Sequence, residues 1–256
     1  MMPVLCVLPA RLLSQRIPRK PLQILAGRPL LEWCWEAASR VPAFDDVWVA
    51  TDSEEIGDVV ASFGGRAVLT DAAHGSGTDR VAEAAARPEA SHFDTVVNFQ
   101  ADEPFVDAES VAAAVDLVRE RGDEVATLAA PIASEEEWRS TSVVKVARAA
   151  DGSALYFSRA GIPHPRDGEP RLDGSEETYL RHIGIYVFGR PALERWVTLP
   201  SSRLEEIEKL EQLRALEAGM RIRVVVGPPT ERGIDEPADV ARAERILETE
   251  TRRDGR

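Results

Sequence analysis

The chain opens with Val4-Leu5-Cys6-Val7-Leu8-Pro9-Ala10-Arg11, followed by Leu12-Leu13-Ser14-Gln15-Arg16-Ile17-Pro18-Arg19-Lys20-Pro21-Leu22. The apolar run 4–8 predicts a parallel strand that is buried on both faces. Pro9 is expected to end this strand, because proline has no amide proton for the ladder. The following loop carries four cations, Arg11, Arg16, Arg19 and Lys20. Ligands of open α/β sheets bind beyond the carboxyl ends of the strands, so the loop predicts an anion site, and a nucleoside triphosphate would fit it.

This cationic loop differs from the common phosphate-binding loops. It lacks the GxxxxGK[ST] glycines whose backbone amides wrap a phosphate, so side-chain charge has to do more of the binding. Pro18 and Pro21 stiffen it. The alternative interpretation is that the four cations are solvated charges on an ordinary connection.

Composition limits the classes of protein that the chain can belong to. With 256 residues and 44% hydrophobic content, a single α/β domain with an elaboration is the simplest expectation. The net charge of -13 argues against nucleic acid or an anionic membrane as partner, since both require a basic face. Cys6 and Cys34 lie in apolar stretches and predict buried thiols in a reducing compartment. With no leader pattern and no long apolar stretch, we expect a cytoplasmic protein.

Strands and helices alternate along the first half, as in a doubly wound sheet. Further strands are predicted at 46–50, 66–69, 95–99, 125–129, 181–188 and 222–226. Helices are predicted at 29–38, from about 53, at 81–86, 111–118, 204–218 and 235–247. The segment 74–80 is expected to be a flexible polar turn. Residues 143–146 and 154–157 flank Asp151-Gly152, which predicts an inserted antiparallel hairpin. A long loop is expected at 161–178, and a disordered charged tail at 248–256.

Two aspartates are candidates for chemistry. Asp102 stands just beyond the predicted strand 95–99, where an aspartate commonly holds Mg²⁺ against a phosphate, and its alternative role is a cap or turn residue. From spacing alone, Asp235 is more typical of a helix cap. Two carboxylates together with substrate phosphates nevertheless make a typical Mg²⁺ site. With the cationic loop, the pair indicates phosphoryl or nucleotidyl transfer.

Nine ordered motifs resemble one family, the 3-deoxy-manno-octulosonate (Kdo) cytidylyltransferases, over about residues 3–247. They are Pro9-Ala10-Arg11, Arg16 and Pro18 with Lys20-Pro21-Leu22, Ala50-Thr51-Asp52, Ser76-Gly77-Thr78-Asp79-Arg80, Asn98-Phe99-Gln100-Ala101-Asp102-Glu103-Pro104, Tyr156-Phe157-Ser158-Arg159, Arg181-His182-Ile183-Gly184-Ile185-Tyr186, Leu210-Glu211-Gln212-Leu213-Arg214 and Gly233-Ile234-Asp235. The resemblance implies a doubly wound, mostly parallel α/β sheet of the nucleotide-diphospho-sugar transferase type. It also implies one domain over 1–247, with an antiparallel lobe for dimerisation and substrate at about 140–200.

The resemblance further implies transfer of CMP from CTP to Kdo by a Mg²⁺-dependent homodimer that serves lipopolysaccharide synthesis. Arg11 and Lys20 would hold the triphosphate, and Asp102 and Asp235 the metal; these four are the candidate catalytic residues. The cytosine and ribose would meet Ser76, Gly77, Thr78, Asp79, Arg80 and Gln100. The sugar acid would meet Arg159, His182, Tyr186, Glu211 and Gln212.

Two positions depart from the family pattern, and two alternatives stay open. The family usually has glycine where this chain has Arg19 and Ala101, which adds a cation to the phosphate loop and removes a permissive residue from the metal loop. The acceptor is alternatively another acid: an amino-Kdo analogue, a sialic-type acid or a phosphonate. A chain of a different class, a nucleotide-binding protein without turnover, would have no need of the complete carboxylate pair.

Overall fold

The structure is a computed structural model that describes residues 3–13, 16–172 and 177–254, with side chains up to residue 249. The strands are β1 Val4–Ala10, β2 Ile24–Leu25, β3 Arg28–Pro29, β4 Asp46–Thr51, β5 Arg66–Leu69, β6 Thr95–Phe99, β7 Val125–Pro131, β8 Lys145–Arg148, β9 Ala154–Ser158, β10 Leu180–Gly189 and β11 Ile222–Val226. The helices are α1 Leu30–Ser39, α2 Glu54–Ser62, α3 Gly77–Ala85, α4 Ala108–Arg119, α5 Glu135–Arg139, α6 Arg190–Thr198, α7 Arg203–Glu208, α8 Gln212–Glu217 and α9 Pro237–Asp254.

The chain groups into two compact units. Unit I comprises the described residues of 3–92, 98–106 and 231–254, and unit II those of 93–97 and 107–230. Strand β6 therefore begins in unit II and ends in unit I. The single domain over 1–247 with a lobe at 140–200 stays a prediction.

Unit I is built on three parallel strands in the order β5-β4-β1. Residues 4–8 of β1 are completely buried, as the apolar run predicts. Helices α1, α2 and α3 connect or follow these strands, and a capping serine begins each of α2 and α3. Both central residues of the β2–β3 turn, Ala26 and Gly27, have positive φ, as a two-residue hairpin turn requires.

Unit II combines parallel and antiparallel pairs. Strand β11 pairs in parallel with β7, while β10 runs antiparallel to both β7 and β8, and β8 antiparallel to β9. The predicted hairpin is therefore confirmed, with Gly152 at φ +87° in its turn. The register of β10 shifts between Ile183 and Tyr186, an irregularity that changes the direction of neighbouring side chains. The expected α/β architecture of mostly parallel strands, flanked by helices and carrying an antiparallel insertion, is confirmed.

Several predicted boundaries are wrong. Strand β1 continues through Pro9 to Ala10, because an extended proline still fits a strand even though it donates no hydrogen bond. The polar turn 74–80 is not flexible throughout, since α3 already begins at Gly77. The helix predicted over 204–218 is interrupted at Lys209, whose φ is +54°.

The tail and two further helices also differ from the prediction. Helix α9 runs to Asp254, so the expected disorder from 248 onward is wrong up to that residue, and residues 255–256 lie outside the described part of the chain. The helices α5 and α6 were not predicted. Across the described ranges, no helix is both long enough and apolar enough to cross a lipid bilayer. Cys6 and Cys34 are both free and buried, as predicted.

Candidate nucleotide and metal site

A cavity of about 300 Å³ lies in unit I, beside the ends of β1 and β6. It is lined by Pro9, Ala10, Arg11, Arg16, Lys20, Pro21, Gln100, Ala101, Asp102 and Asp235. The four candidate catalytic residues, Arg11, Lys20, Asp102 and Asp235, therefore lie around one cavity although the sequence separates them by more than 200 residues. Arg16 lines the same cavity, although from the sequence it was named only as a loop cation and a motif residue and was assigned no role in the site.

Lys20 is at the centre of the charged contacts in this cavity. Its ammonium donates to Asp102 Oδ2 at 2.6 Å and to Asp235 Oδ1 at 3.0 Å. Lys20 begins a short 3-10 turn, Lys20–Leu22, in which Pro21 is buried. The turn fixes the lysine stem beside the loop that follows β6, and only 14% of its side chain is exposed. One cation therefore bridges both candidate metal ligands.

The pKa values of this pair reflect burial as well as attraction. Burial lowers the pKa of Lys20, but the two carboxylates outweigh it and raise that pKa above its ordinary value. Burial raises the pKa of Asp102, and the negative charge of Asp235 adds to the rise, while Lys20 opposes it. Attraction alone would lower the pKa of Asp102, so the desolvation of this carboxylate is the stronger effect there. Removing Lys20 would leave two facing carboxylates without their shared cation.

Asp235 is not the helix cap that its spacing favours. Its carboxylate accepts from Lys20 and, at 3.1 Å, from Arg16 Nη2. Asp239 performs the capping role instead, since its Oδ2 accepts from the backbone amides of Asp235 and Glu236. The preceding Gly233 permits the close approach, because a Cβ there would stand 2.9 Å from the carbonyl oxygen of Asp102. The backbone amide of Ile234 donates to that same carbonyl at 2.9 Å, which joins the two acidic segments.

A second cavity of about 170 Å³ shares Pro9, Arg11 and Gln100 with the first. Its other lining residues are His74, Gly75, Ser76, Gly77 and Arg80. A Cβ on Gly77 would lie 3.2 Å from the Pro9 ring and 3.3 Å from Gln100 Nε2, so a larger residue there would crowd the lining of this cavity. The structure thus brings Ser76, Gly77, Arg80 and Gln100 beside the triphosphate candidates, whereas Thr78 and Asp79 line neither of these two cavities.

The side chains of the 76–80 segment mainly hold its shape. Ser76 and Asp79 form a capping box, with Ser76 Oγ accepting from the Asp79 amide and Asp79 Oδ2 accepting from the Ser76 amide, both at 3.1 Å. Arg80 is buried and donates to Thr70 Oγ1 at 2.5 Å and to Asp52 Oδ2 at 2.9 Å. Asp79 and Arg80 therefore position the turn in this structure rather than projecting free charges into the cavity.

Two polar partners of this turn were not assigned from the sequence. Asn98, fully buried in β6, donates to Thr78 Oγ1 at 3.2 Å and accepts from Gln100 Nε2 at 2.8 Å. Asp52 directly follows β4 and holds Arg80. The signal for both was present, because a polar residue within or just after an apolar strand requires a partner.

The two departures from the family pattern have different outcomes. Arg19 has φ +53°, so a non-glycine residue occupies a left-handed conformation here. Its guanidinium pairs with Glu55 in the first turn of α2, and Arg19 does not line either of these cavities. Ala101 lines the first cavity, is almost fully buried, and is not among the described non-glycine residues with positive φ.

The candidate sugar-acid residues all lie in unit II. Arg159, at the end of β9, donates from Nε to the carbonyl of Glu208 at 2.8 Å and from Nη1 to that of Thr141 at 3.0 Å. Its backbone is held as well: its amide donates to Glu208 Oε2, and its carbonyl accepts from the fully buried ammonium of Lys145. This support leaves Nη2 of Arg159 without a partner among the residues that the structure describes.

His182 packs edge-on against Phe157, with ring centroids 5.0 Å apart, and lies 5.3 Å from the ring of Tyr186. Burial, with the nearby charge of Arg181, lowers the pKa of His182 to about 3. The ring is therefore neutral at physiological pH. Thr127 Oγ1 donates to the carbonyl of Ile185 at 2.7 Å and lies 2.9 Å from His182 Nε2. Because that hydroxyl proton is already donated, Nε2 carries the ring proton and Nδ1 is an acceptor.

Tyr186, Glu211 and Gln212 complete this set. Tyr186 lies 5.7 Å from Trp196 between ring centroids, and Trp196 Nε1 donates to Glu211 Oε1 at 2.7 Å. Burial raises the pKa of Tyr186 well above its ordinary value, so its hydroxyl keeps its proton. Gln212 is buried at the start of α8. Their contact with a ligand stays a prediction.

Comparison with known proteins places the chain among nucleotide-transferring enzymes. Residues 5–222 match the model of the Cytidylyltransferase family. A 3-deoxy-manno-octulosonate cytidylyltransferase of Gemmatimonas aurantiaca is 45% identical, with 94% of this chain and 93% of that protein covered. One of Xanthomonas oryzae pv. oryzae is 46% identical, with 93% of both covered.

A solved structure of CMP:2-keto-3-deoxy-manno-octonic acid synthetase complexed with CTP has a TM-score of 0.86 at 37% identity, covering 97% of this chain and 99% of that one. A 4-diphosphocytidyl-2C-methyl-D-erythritol synthase of Anaerococcus prevotii shares the fold, with a TM-score of 0.61 at 16% identity over 96% and 98% of the two chains. The chain is a member of the 3-deoxy-manno-octulosonate cytidylyltransferase family.

Proposed function

We propose that the chain transfers CMP from CTP to Kdo. The anomeric hydroxyl of Kdo loses its proton as its oxygen forms a bond to the α-phosphorus of CTP, the bond from that phosphorus to the bridging oxygen of the β-phosphate breaks, and pyrophosphate leaves. The observation that carries this proposal is the convergence of Arg11, Lys20, Asp102 and Asp235 on one cavity, in a member of this family. Fixed charges of both signs around one anionic substrate are what phosphoryl-type transfer needs, since its catalysis is mainly positioning and charge stabilisation.

The two carboxylates fit a Mg²⁺ site. One cation, the Lys20 ammonium, already lies within hydrogen-bonding distance of both, so Asp102 and Asp235 are close enough to share a positive charge. Mg²⁺ is commonly held by one or two carboxylates together with substrate phosphates. When bound, it would neutralise phosphate charge and polarise the α-phosphate. Asp102 and Asp235 are the residues that would hold it.

The cations of the first cavity support binding of the triphosphate. Arg11, Arg16 and Lys20 line it, and Pro21 in the short turn at Lys20 restricts the backbone dihedrals there. Local cations allow a protein of net charge -13 to bind an anionic nucleotide. The second cavity, between Gly77 and Gln100, would take the cytosine and ribose.

The acceptor would meet the residues of unit II. Arg159 presents an Nη2 that has no partner among the described residues, on a guanidinium whose other nitrogens are fixed, which suits a carboxylate. His182 offers a neutral acceptor nitrogen, which suits a sugar hydroxyl better than a charged ring would. Tyr186, Glu211 and Gln212 would bind the remaining hydroxyl groups of the sugar acid.

We also propose that the enzyme acts as a homodimer in the cytoplasm and that its product serves lipopolysaccharide synthesis. Unit II exposes two large apolar side chains, Leu155 of β9 and Ile207 of α7, which are 64% and 63% exposed. A contiguous apolar patch at the surface is typical of an interface, and in the proposed dimer these two side chains would contribute to such a patch.

A pyrophosphate-release panel tests the function. The protein is incubated with Mg²⁺ and each of four nucleoside triphosphates, and each mixture is crossed with Kdo, an amino-Kdo analogue, a sialic acid and a phosphonate. We expect release only with CTP, and fastest with Kdo. Release from CTP with a different acid would contradict the assignment of Kdo and leave cytidylyl transfer standing. Binding of CTP without release from any pair would indicate the nucleotide-binding alternative.

A further inference from the structure

Lys20 occupies the position between the two carboxylates that a metal ion would use. Its ammonium lies 2.6 Å from Asp102 Oδ2 and 3.0 Å from Asp235 Oδ1. A divalent cation that bridges the two carboxylates through these same oxygen atoms would lie closer to them than the hydrogen-bonded ammonium does. Two cations cannot both stand between the same pair of oxygens.

The surroundings make the competition between ammonium and metal strongest at Asp102. The side chains of Lys20 and Asp102 are 14% and 26% exposed and that of Asp235 is 42% exposed, so water screens the Lys20–Asp102 contact less than the contact with Asp235. A metal ion that arrived while Lys20 remained in place would meet a like charge at close range. The Lys20 ammonium can also move away from the two carboxylates, because it is a point charge on a flexible four-carbon stem.

A triphosphate bound in the same cavity would give the Lys20 ammonium other partners than the two carboxylates. Arg11 and Arg16 line it with Lys20, and a triphosphate bound there would offer the ammonium phosphate oxygens in place of the carboxylates. Arg16 pairs with Asp235 at 3.1 Å and acts on Asp102 only through its charge, so of these two cations Lys20 is the one that bridges the carboxylates.

We propose that Lys20 acts as an exchangeable counter-ion, which keeps Asp102 and Asp235 from binding divalent metal until a nucleoside triphosphate draws its ammonium away. Metal and nucleotide then bind with positive coupling, and metal alone binds weakly. This rests on the proposed function, since it takes the two aspartates as the metal ligands. It goes beyond that function by giving Lys20 a second role, in the order of binding.

Mn²⁺ binding, measured by electron paramagnetic resonance on the full chain without nucleotide, tests the exchange. Lys20→Met is expected to bind Mn²⁺ about tenfold or more tighter than the unmodified chain, within the usual range of coupling between sites. Arg19→Met is the matched control, because it removes the adjacent cation, which pairs with Glu55 instead. It should bind Mn²⁺ as the unmodified chain does. Asp102→Asn should abolish the tight binding when combined with Lys20→Met.

Saturating α,β-methylene-CTP, which cannot release pyrophosphate, provides the second arm. It should tighten Mn²⁺ binding to the unmodified chain more than to Lys20→Met, because the variant has no ammonium to displace. Equal Mn²⁺ affinity of the Lys20→Met and unmodified chains without nucleotide would overturn the exchange, as would a gain shared by Arg19→Met. Pyrophosphate release by the unmodified chain is measured separately, so failure of the exchange is distinguishable from failure of the proposed function.

Discussion

Arg159 is held in place by groups that do not compete for its outer nitrogen. Its Nε and Nη1 donate to backbone carbonyls, and its own carbonyl accepts from Lys145. Arg159→Lys keeps the charge and loses the planar fork. We expect the KM for Kdo to rise roughly 10- to 100-fold, the scale of a charged hydrogen bond, with an unchanged KM for CTP. Steady-state kinetics with each substrate varied in turn measures both values.

Arg139→Lys is the control for this substitution, since Arg139 makes an exposed ion pair on α5 and should tolerate lysine. An equal rise in both KM values for Arg159→Lys would contradict a specific role in binding the acceptor. It would indicate instead that Arg159 mainly holds unit II together.

His182 should link stability to pH. Its ordinary pKa is 6.5 and burial lowers it to about 3, so between these values the unfolded chain binds a proton that the folded chain does not. The contribution of the neutral ring is therefore complete above pH 6.5 and is lost as pH falls toward 3. Urea unfolding at pH 7 and pH 5 should show a smaller loss of unfolding free energy for His182→Gln than for the unmodified chain.

The exposed His164 provides the comparison. His164→Gln should keep the full loss between pH 7 and pH 5. A loss of the same size in all three proteins would show that His182 is protonated equally in the folded and unfolded chains.

Single residues show where spacing is ambiguous. Asp235 has the spacing of a helix cap, yet Asp239 caps and Asp235 faces Lys20. A one-dimensional pattern cannot separate two aspartates four positions apart, because only the fold shows which carboxylate meets a residue more than 200 positions away. The cationic loop was easier to predict, since an apolar strand followed by several charged residues indicates an anion site from local sequence alone.

Arg19, directly before Lys20, has a left-handed backbone conformation that glycine would adopt without steric strain. Arg19 has φ +53°, and its guanidinium pairs with Glu55 between two half-exposed side chains. Arg19→Gly and Arg19→Ala both remove the ion pair, but only alanine keeps the left-handed strain. Arg19→Gly should therefore be more stable than Arg19→Ala, with a free energy of unfolding about 0.5 to 1 kcal/mol higher, as measured by urea unfolding. A more stable alanine variant would mean that the backbone at this position relaxes without cost.

Helices and strands were predictable where apolar periodicity was strong. Strands β5, β6 and β11 have the predicted bounds because turn residues bracket a short apolar run. The break between α7 and α8 was not predictable, because Lys209 at φ +54° has no special propensity for that conformation and tertiary contacts impose it. Similarly, α3 starts at a capping box whose second partner is Asp79 in place of the usual glutamate.

The net charge of -13 makes copies of the chain repel one another, and burial of apolar surface in a dimer would offset that repulsion. The exposed Leu155 and Ile207 of unit II are the candidates for that contact. We expect light scattering to give a mass of twice 28.1 kDa. Leu155→Asp should shift the protein to monomer. Leu69→Asp, which places the same charge on a leucine of unit I that is 51% exposed, should not. A monomeric unmodified chain, or a dimer that tolerates both changes, would contradict this interface.

The most direct measurement compares Asp235→Asn with Glu236→Gln in pyrophosphate release from CTP and Kdo at saturating Mg²⁺. The two substitutions remove the same charge from neighbouring positions, but Asp235 lines the cavity and contacts Lys20, whereas Glu236 is exposed. We expect Asp235→Asn to lose at least ~100-fold in turnover, the scale of a deleted electrostatic contact in catalysis. Glu236→Gln should keep its turnover, and both variants should keep the unfolding midpoint of the unmodified chain. Near-normal turnover by Asp235→Asn would contradict its role as a metal ligand and leave it only as an ion-pair partner of Lys20 and Arg16.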